Sequence, residues 1–86
     1  MNKTDVIKTL NLINNEQFCW HTFHRAKYRF DKCKSDLNKF YSEETIEKLN
    51  SAMVDSSPDN PDSSTKRDFD TLRVANIIKE MIKEIA

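Results

Sequence analysis

Not one of the 86 residues is glycine. Average usage of about 7% would place roughly six in a chain of this length. Glycine takes positive φ without strain and lets backbone approach a ligand closely. Its absence argues against tight I′ and II′ hairpins and against Gly-rich phosphate loops. Helices joined by Asn, Ser, Asp and Pro need neither, so an all-α fold is the direct expectation.

A chain this short buries only about 60–65% of its unfolded surface, so its core must be small and well used. At 37% hydrophobic and 33% charged, its composition is that of a soluble globular protein. No apolar run approaches the roughly 20 residues that cross a bilayer, and no charged-then-apolar signal segment opens the chain. Residues 1–86 are therefore expected to form a single helical domain, cytoplasmic and without membrane contact.

The strongest pattern is a seam. Cys19, Phe23, Ala26, Phe30, Cys33, Leu37 and Phe40 follow one another at alternating steps of four and three. That spacing puts them on one face and predicts a single helix over 16–41. Extending the seam backwards would put Leu12 and Glu16 on it, so a break is expected at Asn14-Asn15, with Asn15 capping the long helix and Glu16 in its first turn. Ahead of the break, Thr4 reads as an N-cap and Asp5 as a first-turn acid, while Val6, Ile7, Leu10 and Ile13 share a face, predicting a helix over 4–14. Ser42 followed by Glu43 and Glu44 starts a third helix over 43–54 with Ile46, Leu49 and Met53 inward.

Residues 55–64 hold only Asp, Ser, Asn and the prolines Pro58 and Pro61, and they predict a flexible polar loop. Thr65 with Asp68 resembles a capping pair for a last helix over 65–85. Its apolar stripe is Val74, Ile77, Ile78, Met81, Ile82 and Ile85, with Lys79, Glu80, Lys83 and Glu84 outside. The expected architecture is a small four-helix bundle with long antiparallel second and fourth helices.

The chemistry concentrates in FCWHTFHRAKYRFDKCK, residues 18–34, which hold the only tryptophan, both histidines and both cysteines. Zinc accepts Cys and His, but on one helix Cys19 and His21 point to different faces, and Cys33 lies about 21 Å further along. The same separation prevents a Cys19–Cys33 disulfide, which needs Cα atoms within about 7 Å. Seam cysteines behaving as small hydrophobes is the favoured reading. A Cys-His catalytic pair would need the two from different elements. No metal site, no cofactor site and no catalytic set is expected, and the chain is read as a non-enzyme.

Charge is unevenly spread although the net is zero. Residues 20–34 carry five cations against Asp31 alone, and residues 35–70 carry nine acids against four bases. Opposite the seam, His21, Arg25, Tyr28 and Lys32 fall at steps of four, three and four. The expected partner-binding set is Trp20, His21, His24, Arg25, Tyr28, Arg29 and Lys32, joined by Phe69 and Leu72, which lie off the stripe of the last helix. Aromatic residues beside a basic rim are common interface anchors.

The leading expectation is a small non-enzymatic protein acting by protein–protein interaction: a regulator, inhibitor, immunity protein or small chaperone. The polar loop would also let the last helix exchange between protomers of a homodimer. The alternative is a DNA- or RNA-binding regulator using the same face, its cations on phosphates and Tyr28 stacked on bases. The neutral net charge weighs against that alternative.

PDNP at residues 58–61, followed by a helix ending IIKEMIKEI, resembles the turn between helices of type III secretion needle subunits. The likeness covers about a third of the chain. Here the turn sits in a polar gap instead of a tight hairpin, and the Cys/Trp/His-rich helix has no counterpart there. Membership of that family is not inferred.

Overall fold

In the computed structural model the first helix, α1 (Lys3–Gln17), is capped by Asn2 and not by Thr4. Asn2 Oδ1 accepts the Asp5 amide at 2.9 Å, and the Asp5 carboxylate accepts the Asn2 amide at 3.4 Å. This reciprocal box satisfies donors that the start of a helix leaves without intrahelical partners. The structure describes the backbone of residues 1–57 and 63–86 and the side chains of residues 1–57 and 70–86.

Asn14-Asn15 does not break the chain, because Asn14 Oδ1 accepts the Gln17 side-chain amide at 3.3 Å and the helix continues through it. The break falls at residues 18–22 instead. Cys19 is extended (φ −96°, ψ 131°), and a 3-10 turn over Trp20–Thr22 leads into α2 (Phe23–Leu37). The Thr22 hydroxyl donates to the Glu16 carbonyl at 2.6 Å, satisfying one of the acceptors that the end of α1 exposes. The expected rod over 16–41 is thus corrected to a helix of 15 residues. The physical reason is burial. With the turn at residues 18–22 and not at Asn14-Asn15, Gln17 ends α1 buried with its amide on the Thr71 carbonyl, while α1 still lies back along α2.

The seam survives the break with one loss. Phe23, Ala26, Phe30, Cys33 and Leu37 are buried and Phe40 is half-buried, but Cys19 is exposed. The third helix, α3 (Glu43–Asp55), starts as its sequence predicts, with Ser42 Oγ accepting the Thr45 amide at 3.3 Å. Ile46, Leu49 and Met53 are buried on its inner face. The last helix, α4 (Ser63–Ile85), buries Val74, Ile77, Ile78 and Met81 and exposes Lys79, Glu80, Lys83 and Glu84. The Pro-Asp turn at residues 58–61 and the side chains of Thr65 and Asp68 lie outside the described residues. α4 already begins at Ser63, so Thr65 stands inside the helix and not at its cap. The loop expected over 55–64 gives up Asp55 to α3 and residues 63 and 64 to α4.

All described residues of regular structure are helical, and none has positive φ, so the glycine-free sequence carries no backbone strain there. The four helices among the described residues form two hairpins. α2 packs on α1, α4 packs on α3, and α1 against α4 joins the pairs. Among the described residues α2 and α4 are not neighbours, so the expected pairing of the second and fourth helices is replaced by this arrangement. Polar contacts that tie the helices include Gln17 Nε2 to the Thr71 carbonyl at 2.9 Å, Tyr41 Oη to the Met81 carbonyl at 2.5 Å, Lys27 Nζ to Asn50 Oδ1 at 3.1 Å, and Arg73 to Asp55 at 3.1 Å. The radius of gyration of 12.1 Å matches the value of about 12 Å expected for one compact domain of this length.

Candidate partner-binding face

The seam turns one side of α2 inward, and helical periodicity then forces Arg25, Tyr28, Arg29 and Lys32 onto the other. Tyr28 is 60% exposed, and Trp20, in the 3-10 turn just before the helix, is 64% exposed. Large apolar side chains standing this far into water have not been used by the core.

The cations of this face are held in place by specific neighbours. Glu16, in the last turn of α1, accepts a hydrogen bond from Arg29 Nε, and its other oxygen lies 3.7 Å from Arg25 Nε. One half-buried carboxylate at the turn therefore organises two guanidinium groups on the next helix. Further along, Asp31 accepts from Lys27 at 2.7 Å and lies 3.6 Å from Lys34. Burial by itself would raise the Asp31 carboxyl. Lys27 and then Lys34 outweigh it and hold the group below its ordinary value. Hydrogen bonding to the Tyr28 side chain, and then its charge, pushes Lys32 above its ordinary value, and the Lys32 ammonium stands 5.1 Å from the centre of the Tyr28 ring. A cation over an aromatic face is attracted by the ring quadrupole.

Between α1 and α2 these residues border an open groove of about 410 Å³, whose lining includes Thr9, Arg25, Tyr28, Arg29, Lys32 and Asp36. Cys33 lies at its floor. Burial pushes the Cys33 thiol up to about 11, so it stays protonated at neutral pH and is a poor nucleophile. Cys19 is exposed in the turn and the two cysteines form no disulfide.

The expected set is only partly brought together. Arg25, Tyr28, Arg29 and Lys32 share the groove. His21 is exposed in the 3-10 turn, not on the α2 stripe where one continuous helix would have put it. His24 is exposed in the first turn of α2, its ring edge-on to Phe23 at 6.1 Å. Leu72 is 56% exposed on α4, one residue beyond the Thr71 carbonyl that binds Gln17, which places it at the end of the molecule where α1 stops. The side chain of Phe69 lies outside the described residues. Among the described residues no three His, Cys, Asp or Glu side chains gather as metal ligands.

Sequence reasoning missed Glu16, Gln17 and Thr22. Glu16 and Thr22 act across the turn and Gln17 reaches α4, in each case between elements that no periodicity links. The one available signal was an isolated acid just ahead of a run of cations. The chain matches no protein-family model, no curated protein and no solved structure.

Proposed function

We propose that this is a small non-enzymatic binding protein, of the regulator, inhibitor, immunity-protein or chaperone kind, that docks a protein partner on the face running from Trp20 to Lys32. One observation carries the reading: two large aromatics, Trp20 and Tyr28, stand exposed beside arginines that are already ordered by Glu16. Trp, Tyr and Arg dominate the energetics of interfaces. Side chains ordered before association lose less freedom when the complex forms. The unbridged thiols fit a reducing, cytoplasmic setting.

The charge pattern favours a protein over a nucleic acid. Of the five cations between residues 20 and 34, Glu16 opposes Arg25 and Arg29, and Asp31 opposes Lys27 and Lys34. A phosphate backbone is held best by a row of unopposed cations whose counterions it can displace.

The test is a photo-reactive phenylalanine analogue placed at Tyr28 and, as a control, at Lys48 on the outer side of α3. The expected result is a discrete cross-linked protein from the Tyr28 position alone, lost on Trp20→Ser. Equal labelling from both positions would remove the reading. So would recovery of the chain as a lone monomer by size exclusion with light scattering. Tight oligonucleotide binding that weakens steeply with salt would replace the reading with the nucleic-acid one.

A further inference from the structure

We infer that the groove between α1 and α2 receives an acidic segment of the protein partner, with two of its carboxylates engaging Arg25 and Lys32. This inference rests on the docking face proposed above and names the chemistry of what occupies it.

Arg25 and Lys32 are the least opposed cations of the groove. Arg25 reaches Glu16 only at 3.7 Å while Arg29 takes the close hydrogen bond to the same carboxylate. Lys32 has no carboxylate within 4.0 Å among the described residues and instead rests over the Tyr28 ring. The two positions are seven residues apart on α2, a rise of about 10.5 Å over two turns, with Tyr28 between them. Two anionic side chains at that separation therefore fit the face, and a guanidinium can take a carboxylate through two parallel hydrogen bonds.

The surroundings set the size and kind of the anion. Glu16 stands beside Arg25, and Asp36 lies in the groove one turn beyond Lys32. A continuous polyanion running along the helix would meet a like charge at each end. A segment with two discrete carboxylates would meet only the cations. Like-charge contacts of this sort reject wrong partners as effectively as attraction selects right ones.

The test uses isotope-labelled full-length chain and three probes at about 50 mM salt, where exposed charges are weakly screened. The first is a blocked helical 14-residue peptide with two glutamates seven positions apart. The second is the same peptide with both glutamates changed to glutamine. The third is a 20-base single-stranded DNA. The glutamate peptide is expected to shift the amide signals of residues 25–32 in a saturable way. Arg25→Glu and Lys32→Glu, both at exposed positions and checked for native helicity, should each weaken that binding at least tenfold. The glutamine peptide and the DNA should leave those signals in place.

The inference is overturned if the glutamine peptide binds as well, if the glutamate peptide shifts nothing, or if the DNA saturates first. Any of these results with the Tyr28 cross-link intact removes only the acidic occupant. Loss of the cross-link itself removes the docking face.

Discussion

Residues 18–22 and 38–42 are both five-residue, glycine-free connections between helices, and each carries two aromatic side chains. Their fates are opposite. In the first, Phe18 is 47% exposed and Trp20 stands in water. In the second, Phe40 is half-buried and Tyr41 is only 5% exposed, its hydroxyl donated to the Met81 carbonyl. The backbone explains the difference. After Leu37 the chain keeps turning in helical sense, with the amides of Asn38 and Tyr41 bonded to the carbonyls of Lys34 and Leu37 at 3.0 and 2.9 Å. The inward phase of the seam therefore carries through to the aromatics. At Cys19 the chain goes extended, the phase is lost, and the aromatics on either side swing outward. Continuity of phase, more than hydrophobicity, separates a connection used by the core from one left in water.

The sharpest way to break this comparison is to truncate the buried aromatic. Tyr41→Ala should cost about 3–5 kcal/mol in urea unfolding, the usual loss for a large buried aromatic. Tyr41→Phe, which removes only the hydroxyl, should cost about 1 kcal/mol. If Tyr41→Ala unfolds no more easily than Trp20→Ala, the two connections do not differ as described.

Alkaline titration probes the same buried layer. Burial raises Cys33 from 9.0 to about 11, and burial with the Glu84 charge raises Tyr41 from 10.0 to about 12. In each case the unfolded chain releases its proton first, so stability is fully present below about pH 9 and falls as pH rises towards 12. For Cys33 the loss should approach about 2–3 kcal/mol by pH 11, since each tenfold change in acidity is worth about 1.4 kcal/mol. Cys33→Ala should flatten the pH 9–11 part of the curve. An unchanged curve in that variant would mean that the thiol is not the group responsible.

Smaller effects are expected at the first connection. Thr22→Val leaves the Glu16 carbonyl without its hydroxyl donor, and Glu16→Gln takes the charge from under Arg25 and Arg29. Each should cost about 1–2 kcal/mol. A double-mutant cycle between Glu16 and Arg29 should return a coupling of about 1 kcal/mol, and a coupling of zero would show that the turn is held by the hydroxyl alone. The smallest effect belongs to Trp20→Ser, which should change stability by no more than about 0.5 kcal/mol while abolishing partner cross-linking.

The inner faces of all four helices were legible in the spacing of their apolar residues. Val6, Leu10 and Ile13 on α1, and Phe30 and Cys33 on α2, are buried as expected, because periodicity records which side of a helix must leave water. Ser42 was legible as a cap because its bond is local, three residues away. The turn at residues 18–22 was not. Its determinants are the Thr22 hydroxyl on a carbonyl six residues back and the Glu16 carboxylate on Arg29, thirteen residues away. Asn14-Asn15 was misread for the complementary reason: Asn is a good breaker in isolation, but here Asn14 is bonded to Gln17, whose amide also reaches the Thr71 carbonyl on a distant helix. The α2 part of the face could be placed from the sequence, whereas its ordering by Glu16 could not.

By itself, then, the chain's pattern of residues determined an all-helical protein, the side of each helix that is dry, and the cationic strip opposite the longest seam. These follow from interactions within a turn or two of helix. Tertiary structure decided where the long seam bends, which helices become neighbours, and that Phe18 and Trp20 remain in water while Tyr41 does not. Those outcomes depend on contacts between residues far apart in sequence, whose energies exist only once the helices have met.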